Sequence, residues 1–118
     1  MPQIPRPRIL EWTKHARAKM RQYGLSEARV RRVLHSPYRS EEGIAPETSA
    51  FMQPATFKST KENRKDWTQE IWVMTKDARN KRVVISAWRY PGKTKPGEVL
   101  PTEITVEIEE GLGDIEAS

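Results

Sequence analysis

The chain reads as an α+β domain in which an N-terminal helical hairpin packs on a three- or four-stranded antiparallel sheet. Three observations carry that reading. Trp12 to Leu34 contains two short segments with helical apolar period, separated by Gly24 and Ser26. Further on, Ile71 to Met74 and Val83 to Tyr90 are rich in β-branched and aromatic residues and alternate with period two. Asp77-Ala78-Arg79-Asn80 lies between these two runs and is made of turn formers.

At 118 residues the chain is one domain, divided as an extended arm at 1–9, an α+β body at 10–110 and an acidic tail at 111–118. Pro2, Pro5 and Pro7 keep the arm extended. Ile9 to Trp12 has room for a short strand leading into the helices. Thr13 suits a helix N-cap, and Lys14 to Gln22 contains no breaker. On a helix, Trp12, Ala16, Met20 and Tyr23 share a narrow core-facing stripe, while Lys14, Arg17 and Arg21 face water. His15 and Lys19, one turn apart, sit at the edge of that stripe. Gly24 stops the helix by taking the left-handed conformation cheaply. Ser26 caps the next, with Glu27 in its first turn, where the dipole favours an anion. Val30, Val33 and Leu34 form the second apolar stripe, flanked by Arg29, Arg31 and Arg32, and Pro37 ends it. The helices are expected over 13–23 and 26–35.

Residues 38–47 are polar and contain Gly43 and Pro46, so they read as a loop. Residues 49–57 have strand character, which Pro54 demotes to an edge or an interrupted strand. Residues 59–66 are charged and read as a loop or turn. Over 67–76 a strand turns Ile71 and Val73 one way and Trp72 and Met74 the other. Over 82–90 its partner puts Val83, Ile85, Ala87 and Arg89 on one face, and Val84, Ser86, Trp88 and Tyr90 on the other. Residues 91–96 form a basic turn. Ile104, Val106 and Ile108 alternate in a fourth strand over 102–108.

The formal net charge is +5 and the pI near 9.7. The charge is uneven: residues 1–40 hold ten Lys and Arg against two acids, and residues 103–118 hold six acids and no Lys or Arg. A basic front with an acidic tail suggests a nucleic-acid partner, with the tail shielding the basic face. The plain alternative is a solvated surface. With no cysteine, disulfides, thiolate catalysis and Cys-type zinc sites are excluded. His15 and His35 alone are too few for a transition-metal site, so neither a metal nor a cofactor is expected. No apolar run reaches membrane-spanning length and Met1 to Pro5 is no signal peptide, which makes a cytoplasmic location the default expectation.

The run His15-Ala16-x-x-Lys19-Met20-x-x-Tyr23-Gly24-Leu25-Ser26 resembles the opening signature of domain-of-unknown-function family 4258. The usual form there is His-Ala-x-x-Arg-Met-x-x-Arg-Gly-Ile-Ser/Thr, so Lys19 and Tyr23 stand where the family has arginines. Ser36-Pro37 falls at the close of the second helix, as in the family. The family is distantly similar to the RelE-like and BrnT-like toxins, small metal-independent ribonucleases. The resemblance implies a RelE-like fold, RNA as a partner, an acidic antitoxin covering the basic cleft, and endoribonuclease activity as a candidate function.

Metal-free RNA cleavage needs a base for the 2′-hydroxyl, cations for the phosphate and an acid for the leaving oxygen. His15 is the candidate base or acid because histidine titrates near neutrality. Lys19 and Arg89 are the candidate phosphate ligands, and Tyr90 the candidate proton relay. His15, Lys19 and Arg89 converge on one groove only if the inner face of the sheet meets the edge of the first helix. The candidate nucleic-acid contacts are Lys14, Arg17, Arg21, Arg29, Arg32, Lys93 and Lys95, with Lys58, Lys61, Arg64 and Lys65 as loop cations able to meet phosphates. Of the four tryptophans, Trp12 and one of Trp72 or Trp88 are best explained as core; one on the outer sheet face could stack a base, although core or half-buried packing is the favoured role. Each candidate has a plainer role: a helix-edge histidine bonded to a carbonyl, a strand-end cation in water, ordinary packing for the tyrosine. The rival function is a non-catalytic nucleic-acid- or protein-binding module on the same basic hairpin.

Overall fold

The capping signals around Gly24 act where the sequence places them. Helix α1 (Lys14–Tyr23) starts after Thr13, whose hydroxyl accepts the Ala16 amide, and ends at Gly24 with φ +66°. Helix α2 (Glu27–His35) starts after Ser26, whose hydroxyl accepts the Arg29 amide. The computed structural model describes residues 9–43, 47–59, 65–78 and 80–97.

The strands are β1 (Ile9–Trp12), β2 (Arg39–Glu42), β3 (Thr48–Pro54), β4 (Lys58–Ser59), β5 (Lys65–Asp66), β6 (Glu70–Ala78) and β7 (Lys81–Tyr90). Five of them form one sheet in the order β1-β7-β6-β3-β2, and β4 and β5 form a small separate ladder. Both helices lie on one face of the sheet. Ala16, Met20, Leu25, Val30 and Val33 pack there on Ile71, Val73, Val84 and Ala87. The other face buries Ala50, Met52, Trp72, Met74, Val83, Ile85 and Trp88. There Trp72 and Trp88, paired across β6 and β7, stack with centroids 6.1 Å apart and planes 5° from parallel. Such a pair adds about 0.5–1.5 kcal/mol beyond its buried area.

The expected architecture needs correction. The sheet is mixed and five-stranded, not antiparallel with three or four strands, and the described chain enters it through β1 rather than through a helical hairpin. β1 pairs in parallel with β7, Ile9 opposite Lys81 and Trp12 opposite Val84. Thr13 continues the attachment, its amide donating to the Val84 carbonyl at 3.1 Å. Alternation identifies a strand but not the direction in which it pairs, and here the partner lies about seventy residues away.

β2 is a further addition, in a stretch whose polarity suggests a loop. Arg-Ser-Glu-Glu is an edge strand, antiparallel to β3, and its charges protect an edge from further pairing. Pro54 therefore does not put β3 at an edge. The strand runs between β2 and β6, and the proline closes it opposite Glu70. Gly43 lets the chain pass close to Thr48, where a Cβ would collide with the threonine side chain.

The faces of β7 also differ from simple alternation. A register shift opposite Met74 and Thr75 pairs Ser86 with Met74 and Val84 with Thr75, leaving Ile85 as the extra residue. Val83, Ile85, Trp88 and Tyr90 thus join the cluster away from the helices, while Val84 and Ala87 join the helix-side core. Residues 1–8 of the arm, the strand expected over 102–108 and the tail at 111–118 lie outside the described residues, whereas Ile9, counted with the arm, opens β1. Among the described residues no helix is long and apolar enough to cross a membrane.

Gly24 adopts a conformation that disfavours any Cβ, although no neighbour within 4 Å would obstruct one. Gly24→Ala is therefore expected to cost about 1 kcal/mol through backbone strain alone. Urea denaturation should show a lower midpoint with an unchanged slope.

Candidate nucleic-acid interface

Helix α2 and the end of β3 border a cleft of about 510 Å³, within the usual size range of ligand sites. Arg29, Arg32, Ser36, Tyr38, Gln53 and Phe57 contribute to its lining. Helical spacing puts Arg29 and Arg32 one turn apart on the same side of α2. Gln53 locks the helix to the strand. Its amide nitrogen donates to the carbonyls of Arg32 at 3.0 Å and Ser36 at 2.6 Å, and its oxygen accepts from Arg29. Arg29 also donates to the Pro54 carbonyl at 3.2 Å. Burial first, then the like charges of Arg32 and Arg89, pull the Arg29 guanidinium below its ordinary value. Among the described residues, Arg29, Arg32 and Arg89 have no carboxylate partner. The cleft is therefore bordered by crowded positive charge that no acid among the described residues pairs with.

Beside these arginines stands an aromatic trio. Tyr38 meets Trp67 edge-on at 5.0 Å, Phe57 meets Trp67 edge-on at 6.1 Å, and Tyr38 and Phe57 are 5.9 Å apart. Trp67 is 9% exposed, whereas Tyr38 and Phe57 are 54% and 44% exposed. Lys93 caps Trp67 with its ammonium 4.4 Å from the ring centroid and pairs with Asp66 at 2.7 Å.

What holds Trp67 in place is Glu70, a carboxylate with no exposed surface. It accepts the indole N–H groups of Trp67 at 2.9 Å and Trp72 at 3.0 Å. It also accepts the amide of Thr94 at 3.1 Å and its hydroxyl at 2.6 Å. The Thr94 hydroxyl is in turn an acceptor for Arg39, whose guanidinium also donates to the Thr94 carbonyl and lies 5.1 Å above the Trp72 ring. The carboxylate thereby ties the segment after β7 to the start of β6. Burial alone would raise its pKa. The bonds from the Thr94 side chain, Trp67, Trp72 and the Thr94 amide outweigh that and hold it below the ordinary carboxylate range.

The candidate catalytic residues are placed apart. His15 is half-buried in the first turn of α1, and the Lys19 ammonium donates to Gln22 at 3.1 Å. Arg89 donates to the Tyr23 carbonyl at 3.3 Å, in the last turn of the same helix. Eight residues at about 1.5 Å each put the His15 and Arg89 anchor points roughly 12 Å apart along the axis. Tyr90 packs on the cluster away from the helices. Tyr90 thus stands on the opposite face of the sheet from Arg89, which reaches α1. Among the described residues there is no group of three or more His, Asp or Glu able to hold a metal.

The candidate phosphate contacts divide as well. Arg29 and Arg32 border the cleft, and Lys93 flanks the aromatic trio. Arg17 pairs with Glu27 and, with Arg31, covers Trp12 at 5.5 Å, which makes that tryptophan a staple between the helices. Lys14, Arg21 and Lys95 are exposed elsewhere. Of the loop cations, Lys61 and Arg64 lie outside the described residues. Trp72 and Trp88 are both buried, so the exposed aromatics are Tyr38 and Phe57, which the sequence reading did not single out. The one available signal was the Trp67-x-x-Glu70-x-Trp72 spacing, two indole donors around a single acid. Comparisons with protein-family models, curated proteins and solved structures return no match for this chain.

Because the folded-state pKa of Glu70 lies below its unfolded value, its stabilisation is present above the unfolded pKa and lost as pH falls through the folded one. Wild-type stability should therefore decline as pH drops below about 4.5, the ordinary glutamate value. Glu70→Gln should be less stable by about 1–3 kcal/mol at neutral pH, since its amide would face indole donors, and should decline less on acidification. Denaturant titrations across the acid range check this; equal acid dependence in the two proteins would remove Glu70 as its source.

Proposed function

We infer that the protein is a small RNA-binding domain, and that the cleft between α2 and β3 is where it holds RNA. The observation that carries this is the pairing of Arg29 and Arg32, without carboxylate partners among the described residues, with Tyr38 and Phe57 along one cleft. Crowded guanidiniums gain by meeting phosphates, which relieve their mutual repulsion and accept their remaining N–H groups. The basic excess of residues 1–40 adds a longer-range attraction for the same partner.

The reading is one of binding rather than cleavage. A hydrolytic site would need its acid, base and phosphate ligands within reach of one phosphodiester. His15 and Arg89 instead lie toward opposite ends of α1, and Tyr90 is on the other side of the sheet. An acidic protein, such as the antitoxin implied by the family resemblance, would compete for the same arginines.

Arg29→Ala and Arg32→Ala should each weaken RNA binding and lower the slope of log K against log salt by about one. Lys81→Ala, at the far end of the sheet, should leave the slope near wild type. Fluorescence anisotropy over a salt series measures both. RNA binding that ignores salt, or that survives both arginine substitutions, would sink the assignment.

A further inference from the structure

This inference rests on the reading of the cleft as an RNA site and specifies what form of RNA it takes. A duplex presents phosphates but keeps its base faces stacked, so arginines alone could hold it. A single strand offers base faces as well, and these are useful only to a protein with an exposed aromatic surface beside its cations.

The described residues contain three large hydrophobics that are notably exposed: Ile9, Tyr38 and Phe57. Two of the three line the arginine cleft. Their exposure is not that of solitary rings on flexible stems. Tyr38 leaves α2 directly behind Pro37, and its amide donates to the Met52 carbonyl at 2.8 Å. Tyr38 and Phe57 both lean on Trp67, whose indole is fixed by Glu70. Glu70 also grips Thr94, which keeps the neighbouring Lys93 over the ring of the same tryptophan. The result is a braced aromatic platform with guanidiniums along its cleft and an ammonium over its tryptophan.

We propose that this platform is a base-stacking site selecting single-stranded nucleic acid, with an unstacked base on Tyr38 and Phe57 and the adjoining phosphates on Arg29 and Arg32. In this arrangement Trp67 is the wall that keeps the two rings from collapsing into the cleft, and Glu70 is a positioning residue acting through Trp67.

The test uses the full chain and four probes: labelled oligoadenylate, its duplex with oligouridylate, an abasic ribose–phosphate chain of the same length, and polyglutamate as competitor. Binding to oligoadenylate should exceed binding to the duplex and to the abasic chain. Tyr38→Ala and Phe57→Ala should each weaken oligoadenylate binding by roughly 5- to 100-fold, the range expected for losing one stacked base. Their salt slopes should match wild type, because no phosphate contact is removed. Tyr38→Phe, which keeps the ring, should bind as wild type does, and circular dichroism of each variant verifies the fold. Equal affinity for oligoadenylate and the abasic chain, or alanine variants that bind normally, would overturn the stacking proposal while leaving the arginine–phosphate reading intact. No binding of any nucleic acid at low salt, or displacement of RNA by polyglutamate at equal charge, would overturn that reading and this one together.

Discussion

A carboxylate cut off from water must find all of its hydrogen bonds within the protein, and Glu70 is the clearest case of that constraint here. An ionised carboxylate buried without partners costs several kcal/mol. Four donors from three residues meet the need, and each is thereby fixed in position. Trp72 is fixed within the sheet, Trp67 just before it, and Thr94 on the segment that follows β7. Thr94 uses its hydroxyl in both directions, donating to the carboxylate and accepting from Arg39, so a cation reaches the buried charge through one intermediary. That relay explains why Arg39 can lie over the Trp72 ring and also brace the Thr94 segment.

The same network separates the structural basis of the cleft from that of the first helix. α1 is attached through Thr13 to β7 and through its apolar stripe to the helix-side core. α2 is attached to β3 through Gln53 and Arg29. The two helices therefore present their cations in different settings. On α1, Arg17 is engaged by Glu27 and Trp12, which leaves little for an outside partner. On α2, Arg29 and Arg32 meet no acid among the described residues and border a cavity that also carries aromatic rings. Charge counted along the sequence treats these residues alike; their neighbours distinguish them.

Several elements were legible before any coordinates. The helix bounds follow from Thr13, Gly24 and Ser26, whose effects act within one turn of their own position. The buried pairs Ala16 and Met20, and Val30 and Val33, follow from helical period, and the two faces of β6 follow from period two. Illegible were β1 as a parallel partner of β7, β2 as a strand at all, and the bulge at Ile85 that moves Val83 and Ile85 to the far face. β2 has almost no intrinsic strand preference and is ordered by the hydrogen bonds of β3. The bulge depends on how two strands fit against different surfaces, which neither strand encodes alone. The site followed the same division: Arg29 and Arg32 were among the basic candidates, whereas Tyr38, Phe57 and Glu70 were not singled out.

What this sequence determined by itself is what short-range physics can specify: caps, turns, the apolar faces of helices and of β6, and a basic surface able to attract an anion. Only the tertiary structure decided which distant segments become neighbours. It set β1 against β7, brought Tyr38, Phe57 and Trp67 into mutual contact, and kept His15 and Arg89 apart. The reason is that a cap or a stripe depends on residues a few positions away, whereas a pairing direction, a buried carboxylate's donors and a cleft depend on contacts made across the whole chain.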